Sequence, residues 1–290
     1  MLRPMKSKLS IAIVGPGRLG TAIAIALKHA GYRISEIISG GSTGSIRRAQ
    51  RLSRKLGARH ATAKTARLDA DVVWFCVPDG KITSAARQLS SVIQWKRKIA
   101  FHSSGARTSR DLEALRQQGA VVASVHPMMT FVDRSIPSLD GVSFDLEGDV
   151  RALQAARQIV RDLGGLPFDI DIGKGSKALY HAWGTFLSPL LVANLVVAEQ
   201  VARAAGISSA KARKIMLPIV RQTLSNYAQL GPANAFSGPI VRGDAAILRQ
   251  HLKALKHIPE AVQIYRSLAR AALRYLPAHN REDVKKALNH

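Results

Sequence analysis

Between the apolar run Leu9–Val14 and the helical pattern TAIAIALKHAG lies Gly15-Pro16-Gly17-Arg18-Leu19-Gly20. The G-x-G-x-x-G spacing says little alone, but between a strand and a helix it constrains the fold strongly. The first glycine permits the tight turn, and the second lets backbone approach a pyrophosphate. The third packs helix on strand, and the helix N-terminus faces the phosphates. A bare strand–helix turn is the alternative; the context favours dinucleotide binding through Gly15, Gly17, Arg18, Leu19 and Gly20.

The pattern downstream extends this βαβ start. Strand-like runs at Arg33–Ile38, Val72–Val77, Lys98–His102, Ala120–Val125, Val142–Asp145 and Leu166–Ile170 alternate with amphipathic stretches at Leu19–Ala30, Ser45–Leu56, Lys81–Leu89, Ser109–Gln117 and Val150–Leu163. That alternation predicts an α/β, Rossmann-type doubly wound parallel sheet. From Gly173 onward the pattern is helical, broken at Gly206, Gly231–Gly243 and Ile258-Pro259. The expected domains are therefore 1–170, which binds the nucleotide, and 171–290, an all-helical substrate and dimerisation domain.

Which dinucleotide binds depends on the end of the second strand. An NAD site usually places an acid there for the ribose hydroxyls. Here Ile37-Ile38-Ser39-Gly40-Gly41-Ser42 offers none, and residues 40–67 hold eight basic side chains and no acid. Ser39 and Ser42 can donate hydrogen bonds, and Arg47 or Arg48 can reach a 2′-phosphate, so NADP is the expected cofactor.

Composition narrows the class further. The 290 residues carry 43 Lys+Arg against 19 Asp+Glu, a net charge of +24. Both halves are basic, with 26 basic and 12 acidic residues in 1–165 and 17 and 7 in the remainder. With no basic tail and only 5% aromatics, nucleic acid is not the expected partner. The charge balance favours anionic partners such as phosphates or acidic metabolites without choosing among them, and a solvated basic surface with one anion-binding site inside it is the plainer alternative. The single cysteine, Cys76, cannot close an internal disulfide, and no metal-ligand spacing occurs. The apolar stretch 178–198 is long enough to span a bilayer, but His181, Ser188, Pro189 and Asn194 interrupt it. A buried core helix in a cytoplasmic protein is the expectation.

Together the segments GPGRLG, VPDGKI, FHSSGA, SVHPMMTF, KALYHAWGTF and FSGPIVRGD carry a family resemblance over the whole chain. The chain resembles the Rossmann-like NADP oxidoreductases that carry the C-terminal domain of unknown function 2520. The resemblance implies the fold of the 6-phosphogluconate dehydrogenase superfamily, beside ketopantoate and pyrroline-5-carboxylate reductases. It also implies NADP and a homodimer formed through the helical half. Ketopantoate is the best single substrate it suggests. Family members often show Ser-Asn where this chain has Ser188-Pro189, which weakens transfer of the family's substrate contacts.

Val77-Pro78-Asp79, His102-Ser103-Ser104-Gly105 and His126-Pro127 each end a strand, where ligands bind in open α/β sheets. Val77, Pro78, Asp79, His102 and Ser103 are expected near cofactor, Ser104 and His126 near substrate. His126 fits a structural histidine before a rigid turn equally well. Lys177, His181, Gly184 and Ser188 fall on one helical face, with Leu179, Phe186, Leu190 and Leu191 expected in the core. That stripe is either a solvent-edge lysine with a satisfied histidine or a catalytic face. On the second reading Lys177 is the general acid or oxyanion-stabilising cation, His181 its neighbour or substitute, and Ser103 orients the carbonyl. Arg242 either holds a substrate carboxylate or pairs with Asp244, which is placed to cap the following helix. These assignments make the chain an oxidoreductase of a carbonyl or imine. The alternative is a dinucleotide-binding sensor or scaffold without hydride transfer.

Overall fold

The computed structural model describes residues 8–133, 135–170 and 176–289. Two compact units emerge, Met1–Thr185 and Phe186–His290. The division falls later than the sequence boundary of 170/171, because Lys177 and Tyr180 are bonded to strands of the first unit.

In the first unit β1 (Ile11–Val14), α1 (Arg18–His29), β2 (Ile34–Ser39), α2 (Thr43–Leu56) and β3 (Arg59–Thr62) build the first half of the sheet. The second half comprises β4 (Val72–Phe75), α3 (Ile82–Ser90), β5 (Ile99–His102), α4 (Glu113–Arg116), β6 (Val121–Pro127), β7 (Ser143–Gly148), α5 (Val150–Asp162) and β8 (Leu166–Asp169). The strand order is β3-β2-β1-β4-β5-β6-β7-β8. Pairing is parallel from β3 to β6, as the sequence implies. β7 departs from that expectation and runs antiparallel to β6. None of the described residues between 128 and 142 is helical, and a parallel return normally needs such a crossover. β3, with sequence Arg-His-Ala-Thr, was invisible to hydropathy because it is a short, mostly polar edge strand.

Completely buried central strands fix the core. β1, β4 and β5 are buried at every position, and two apolar clusters fill the two sides of the sheet. Trp74 and Phe101 meet edge to face, with ring centroids 5.3 Å apart. Such near-continuous apolar strands are what a sheet covered on both faces requires.

Helices follow: α6 (Lys177–Leu187), which crosses the division, then α7 (Pro189–Ala204), α8 (Ser209–Ala235), α9 (Pro239–Arg242), α10 (Ala245–Leu255), α11 (Pro259–Tyr275) and α12 (Arg281–Asn289). α8 breaks direction at Gly231, whose φ is 74°. In the second unit Leu248, Leu252, Ala269, Leu273, Val284 and Leu288 form a compact core.

α6 and α7 correct one expectation. The segment Lys177–Ala204 is long and apolar enough to cross a membrane, yet its most apolar stretch is not buried within the chain. Leu179 is 71% exposed and Phe186 70%, and Leu190 is also exposed, so these are not core residues. Helical spacing identifies an apolar face but not whether the same chain covers it.

Candidate active site

The glycine turn positions a cleft. Gly15 has φ +98°, and a Cβ there would stand 2.8 Å from the Cys76 carbonyl oxygen. A Cβ on Gly20 would lie 2.0 Å from the Gly15 carbonyl oxygen, whereas one on Gly17 would meet nothing within 4 Å. Gly15 and Gly20 are therefore required by the protein's own packing. Gly17 faces the open space a pyrophosphate would take. Beyond the carboxyl ends of β1, β2 and β4 this opens into a cleft of about 530 Å³.

The cleft is lined by Gly15, Gly17, Ser39, Ser42, Val77 and Pro78 from the sequence expectation. Ser45, Arg48 and Lys81 line it too. Of the two arginines named for the phosphate, Arg48 lines the cleft and Arg47 does not. Asp79, Arg18 and Leu19 also lie outside its lining. Leu19 packs on the core instead, and Arg18 makes only a loose, exposed ion pair with Asp133 at 3.9 Å.

Local bonds explain the shape of the phosphate side. Ser42 accepts from Ser45 N–H at 3.3 Å and caps α2. Ser45 Oγ accepts from Gly40 N–H at 3.2 Å. The Ser39 hydroxyl is already used within the sheet, 3.1 Å from His60 Nε2 and 3.3 Å from the Ala61 carbonyl. Glu36, the acid of β2, is buried and pairs with Arg59 while accepting from Arg67 and Leu68 N–H groups. No acid lines the cleft. Burial pushes the Cys76 thiol up to about 12, so this cleft residue stays protonated.

At the ends of β5 and β6 the structure separates structural groups from available ones. His102 is completely buried, and its Nε2 lies 2.9 Å from the Thr108 carbonyl. Its Nδ1 accepts from Ser104 N–H at 3.1 Å. Burial holds this imidazole below its ordinary pKa, so it serves as a neutral loop organiser. Ser103 Oγ accepts from the Trp74 indole at 2.7 Å. Ser104 Oγ accepts from Ala106 and Arg107 N–H, both at 3.2 Å. All three side chains expected near cofactor or substrate thus have bonding partners inside the protein.

A polar cluster forms where β6, β7 and α6 meet. Antiparallel register pairs Ser124 with Glu147 and His126 with Asp145, so alternation turns all four to one face. Lys177 is 4% exposed and forms an ion pair with the completely buried Asp145. Its ammonium also donates to Ser124 Oγ at 3.1 Å. Burial raises the Asp145 carboxyl above its ordinary range, although Lys177 pulls it back down. Asp145 Oδ1 is buried with no hydrogen-bond partner among the described residues. Lys177 is therefore not a solvent-edge lysine: its ammonium is held inside the protein by a carboxylate and a hydroxyl.

The other members are aromatic. Tyr180 Oη lies 3.0 Å from His126 Nδ1, with the rings edge to face. Burial is the largest cause holding His126 at about 4, helped by the positive charge of Lys177. Burial also raises Tyr180, so both groups are neutral near pH 7. A Cβ on Gly105 would be 2.7 Å from the His126 ring, so only glycine lets that loop seat the imidazole. His181 is exposed, and its ring centroid lies 6.5 Å from that of His126. Gly184 faces Met128, with 3.2 Å from a Cβ position to Sδ. Three separate sequence segments, FHSSGA, SVHPMM and KALYHAWG, thus meet at His126.

Ser188 leaves the helical stripe. Its φ of −127° and ψ of −79° are non-helical, and α7 starts afresh at Pro189. Arg242 bonds Asp244 at 2.9 Å, which realises the pairing alternative. Asp244 occupies the N-cap position of α10, but its carboxylate accepts from Arg242 and takes no capping hydrogen bond from the helix backbone. Sequence reading missed Asp145, Ser124 and Tyr180. The available signal was the polar–apolar alternation of Ser-Val-His and Asp-Leu-Glu within otherwise buried strands. No cluster of metal ligands occurs among the described residues.

A Rossmann-like domain model matches residues 2–127, and the domain of unknown function DUF2520 matches 142–272. No curated protein matches the chain. Among solved structures, a Bacteroides fragilis protein named as an NADP oxidoreductase superposes with TM-score 0.76 at 20% identity, covering 91% of this chain and 98% of that one. The Aspergillus terreus reductive aminase in complex with NADPH and ethyl-5-oxohexanoate gives 0.64 at 17%, covering 92% and 94%. The Myxococcus stipitatus imine reductase with NADP⁺ gives 0.63 at 17%, covering 91% and 94%. At such identities the likeness is one of fold. With both domain models matched in sequence, the chain belongs to the family that joins a Rossmann-like domain to a DUF2520 domain.

Proposed function

We propose that the chain is an NADP-dependent oxidoreductase that reduces the carbonyl or imine of a small acidic metabolite. A 2-oxo acid such as ketopantoate is the best single candidate. The observation that carries this reading is the acid-free cleft in which Gly17 leaves room for a pyrophosphate and Arg48 stands beside Ser42 and Ser45. The Aspergillus and Myxococcus structures, which hold NADPH and NADP⁺ on this fold, support it.

Gly15, Gly17 and the N-terminus of α1 would hold the pyrophosphate, and Arg48 with Ser42 the 2′-phosphate. When bound, the reduced nicotinamide supplies a hydride. The substrate oxygen or nitrogen gains electron density as that happens and needs a proton. His181 is the exposed titratable group of the polar cluster and is the proposed donor. The neutral His126–Tyr180 pair beside it orients the substrate. Lys177, held by Asp145 and Ser124, places an ammonium group in the same cluster. A dinucleotide sensor is the second reading, favoured by the burial of that same lysine.

Exposed apolar side chains on α6, α7 and α8, among them Trp183, Val192, Ile219 and Leu224, support a homodimer in which a second copy covers them. The test of the function is product identification after incubation with NADPH and a panel of 2-oxo acids and cyclic imines, ketopantoate included. A reduced product from one member supports the reading; NADPH binding without any product leaves the sensor.

A further inference from the structure

Within the second unit, α10, α11 and α12 line a concave pocket of about 650 Å³, inside the range of about 300–1,000 Å³ typical of small-molecule sites. Four of its lining side chains are cations, Arg249, Lys253, Lys256 and Arg266, and none is acidic. The first three fall at i, i+4 and i+7 of one helical run, so their charges share a face and repel one another. None of the four forms an ion pair with a described residue, although the chain pairs at least ten other Lys and Arg side chains. Arg266 adds a second, independent sign. Its Nε is buried and has no hydrogen-bond partner among the described residues. A guanidinium N–H in that state is costly, so the Arg266 head group at the pocket wall is under-satisfied.

The floor is apolar. Leu252 and Ala287 are buried there, with Val262 beside them. A purely solvated basic face has no need of a concave apolar base. We propose that this pocket is a second ligand site that binds a phosphate-chain anion of nucleotide size. The phosphates would meet the four cations, and the rest of the ligand would lie on the Leu252–Val262 floor. Bidentate Arg recognition of phosphate by Arg249 and Arg266 is the expected chemistry. The site is separate from the dinucleotide cleft, whose lining residues all belong to the first unit.

The test is calorimetric titration of the full chain with ADP and with inorganic tripolyphosphate, in excess NADPH to fill the first-unit cleft and at about physiological ionic strength. Saturable binding of either probe is expected, weakened ~10-fold or more by Lys253→Gln combined with Arg266→Gln. Tighter ADP than tripolyphosphate would assign a nucleotide, and the reverse an inorganic chain; both support the site. Lys253→Gln with Lys256→Gln, two exposed positions, repeats the test should the Arg266 variant misfold. The proposal is overturned if neither probe binds, if binding is unchanged in both double variants, or if the cations serve only a short DNA duplex.

Discussion

Tyr180 Oη and His126 Nδ1 lie 3.0 Å apart, joining α6 to the end of β6 through two groups that burial keeps neutral. Because the folded-state pKa of His126 is depressed from 6.5 to about 4, the folded state binds fewer protons than the unfolded chain in that window. The associated stability is fully present above pH ~6.5 and is lost as pH falls toward ~4, amounting to up to about 3 kcal/mol. Thermal melting followed across that range should show the loss. His126→Gln should flatten it, and an unchanged slope in that variant would contradict the assignment.

Lys177 and Asp145 should behave as a coupled pair. Lys177→Met alone leaves a buried carboxylate without its counter-charge and should cost about 3–5 kcal/mol of stability. Asp145→Asn alone should also destabilise. The double variant Lys177→Met with Asp145→Leu should cost clearly less than the sum of single effects. Denaturant unfolding measures all three, and strict additivity would mean the two groups do not interact.

The glycine turn separates packing from binding. Gly20→Ala brings a Cβ against the Gly15 carbonyl and should lower stability by about 1–3 kcal/mol. Gly17→Ala meets no protein atom, so its melting temperature should stay near wild type while dinucleotide affinity falls. Melting curves and NADPH titration on both variants distinguish the roles. A Gly17→Ala protein that binds NADPH normally would show that the open space is not a phosphate seat.

Cofactor choice should follow Arg48 rather than Arg47. Only Arg48 lines the cleft, so Arg48→Gln should weaken NADPH by about 1.5–3 kcal/mol with little change in NADH. Arg47→Gln should do much less. Isothermal titration of both nucleotides provides the comparison, and a native preference for NADH would remove the basis for the 2′-phosphate site.

The Rossmann half was legible because its signals are local: a glycine turn after a strand, apolar runs of strand length, and amphipathic helices between them. β7 escaped that logic, since strand direction depends on whether the intervening residues form a helix, not on the strand's own residues. The glycine turn and the strand ends that line the cleft were legible for the same reason as the fold, but Lys81 and Ser45 were not named, and Arg18, Leu19, Asp79 and Arg47 lie outside the lining. Lys177 stood out as a cation on an apolar helix. Its partner did not, because Asp145 lies 32 residues earlier and reads as ordinary strand alternation. Leu179 and Phe186 were misplaced in the core because amphipathic spacing cannot say which chain covers a face.

Transfer of label from NADPH deuterated at the nicotinamide C4, followed by mass spectrometry of products formed from pooled 2-oxo acids and cyclic imines, tests the reductase claim most directly. Deuterium bound to the carbon of the former C=O or C=N, reduced at least ~100-fold in rate in His181→Ala, is the predicted result. Tight NADPH binding with no label in any product would contradict it and leave a nucleotide-binding protein without hydride chemistry.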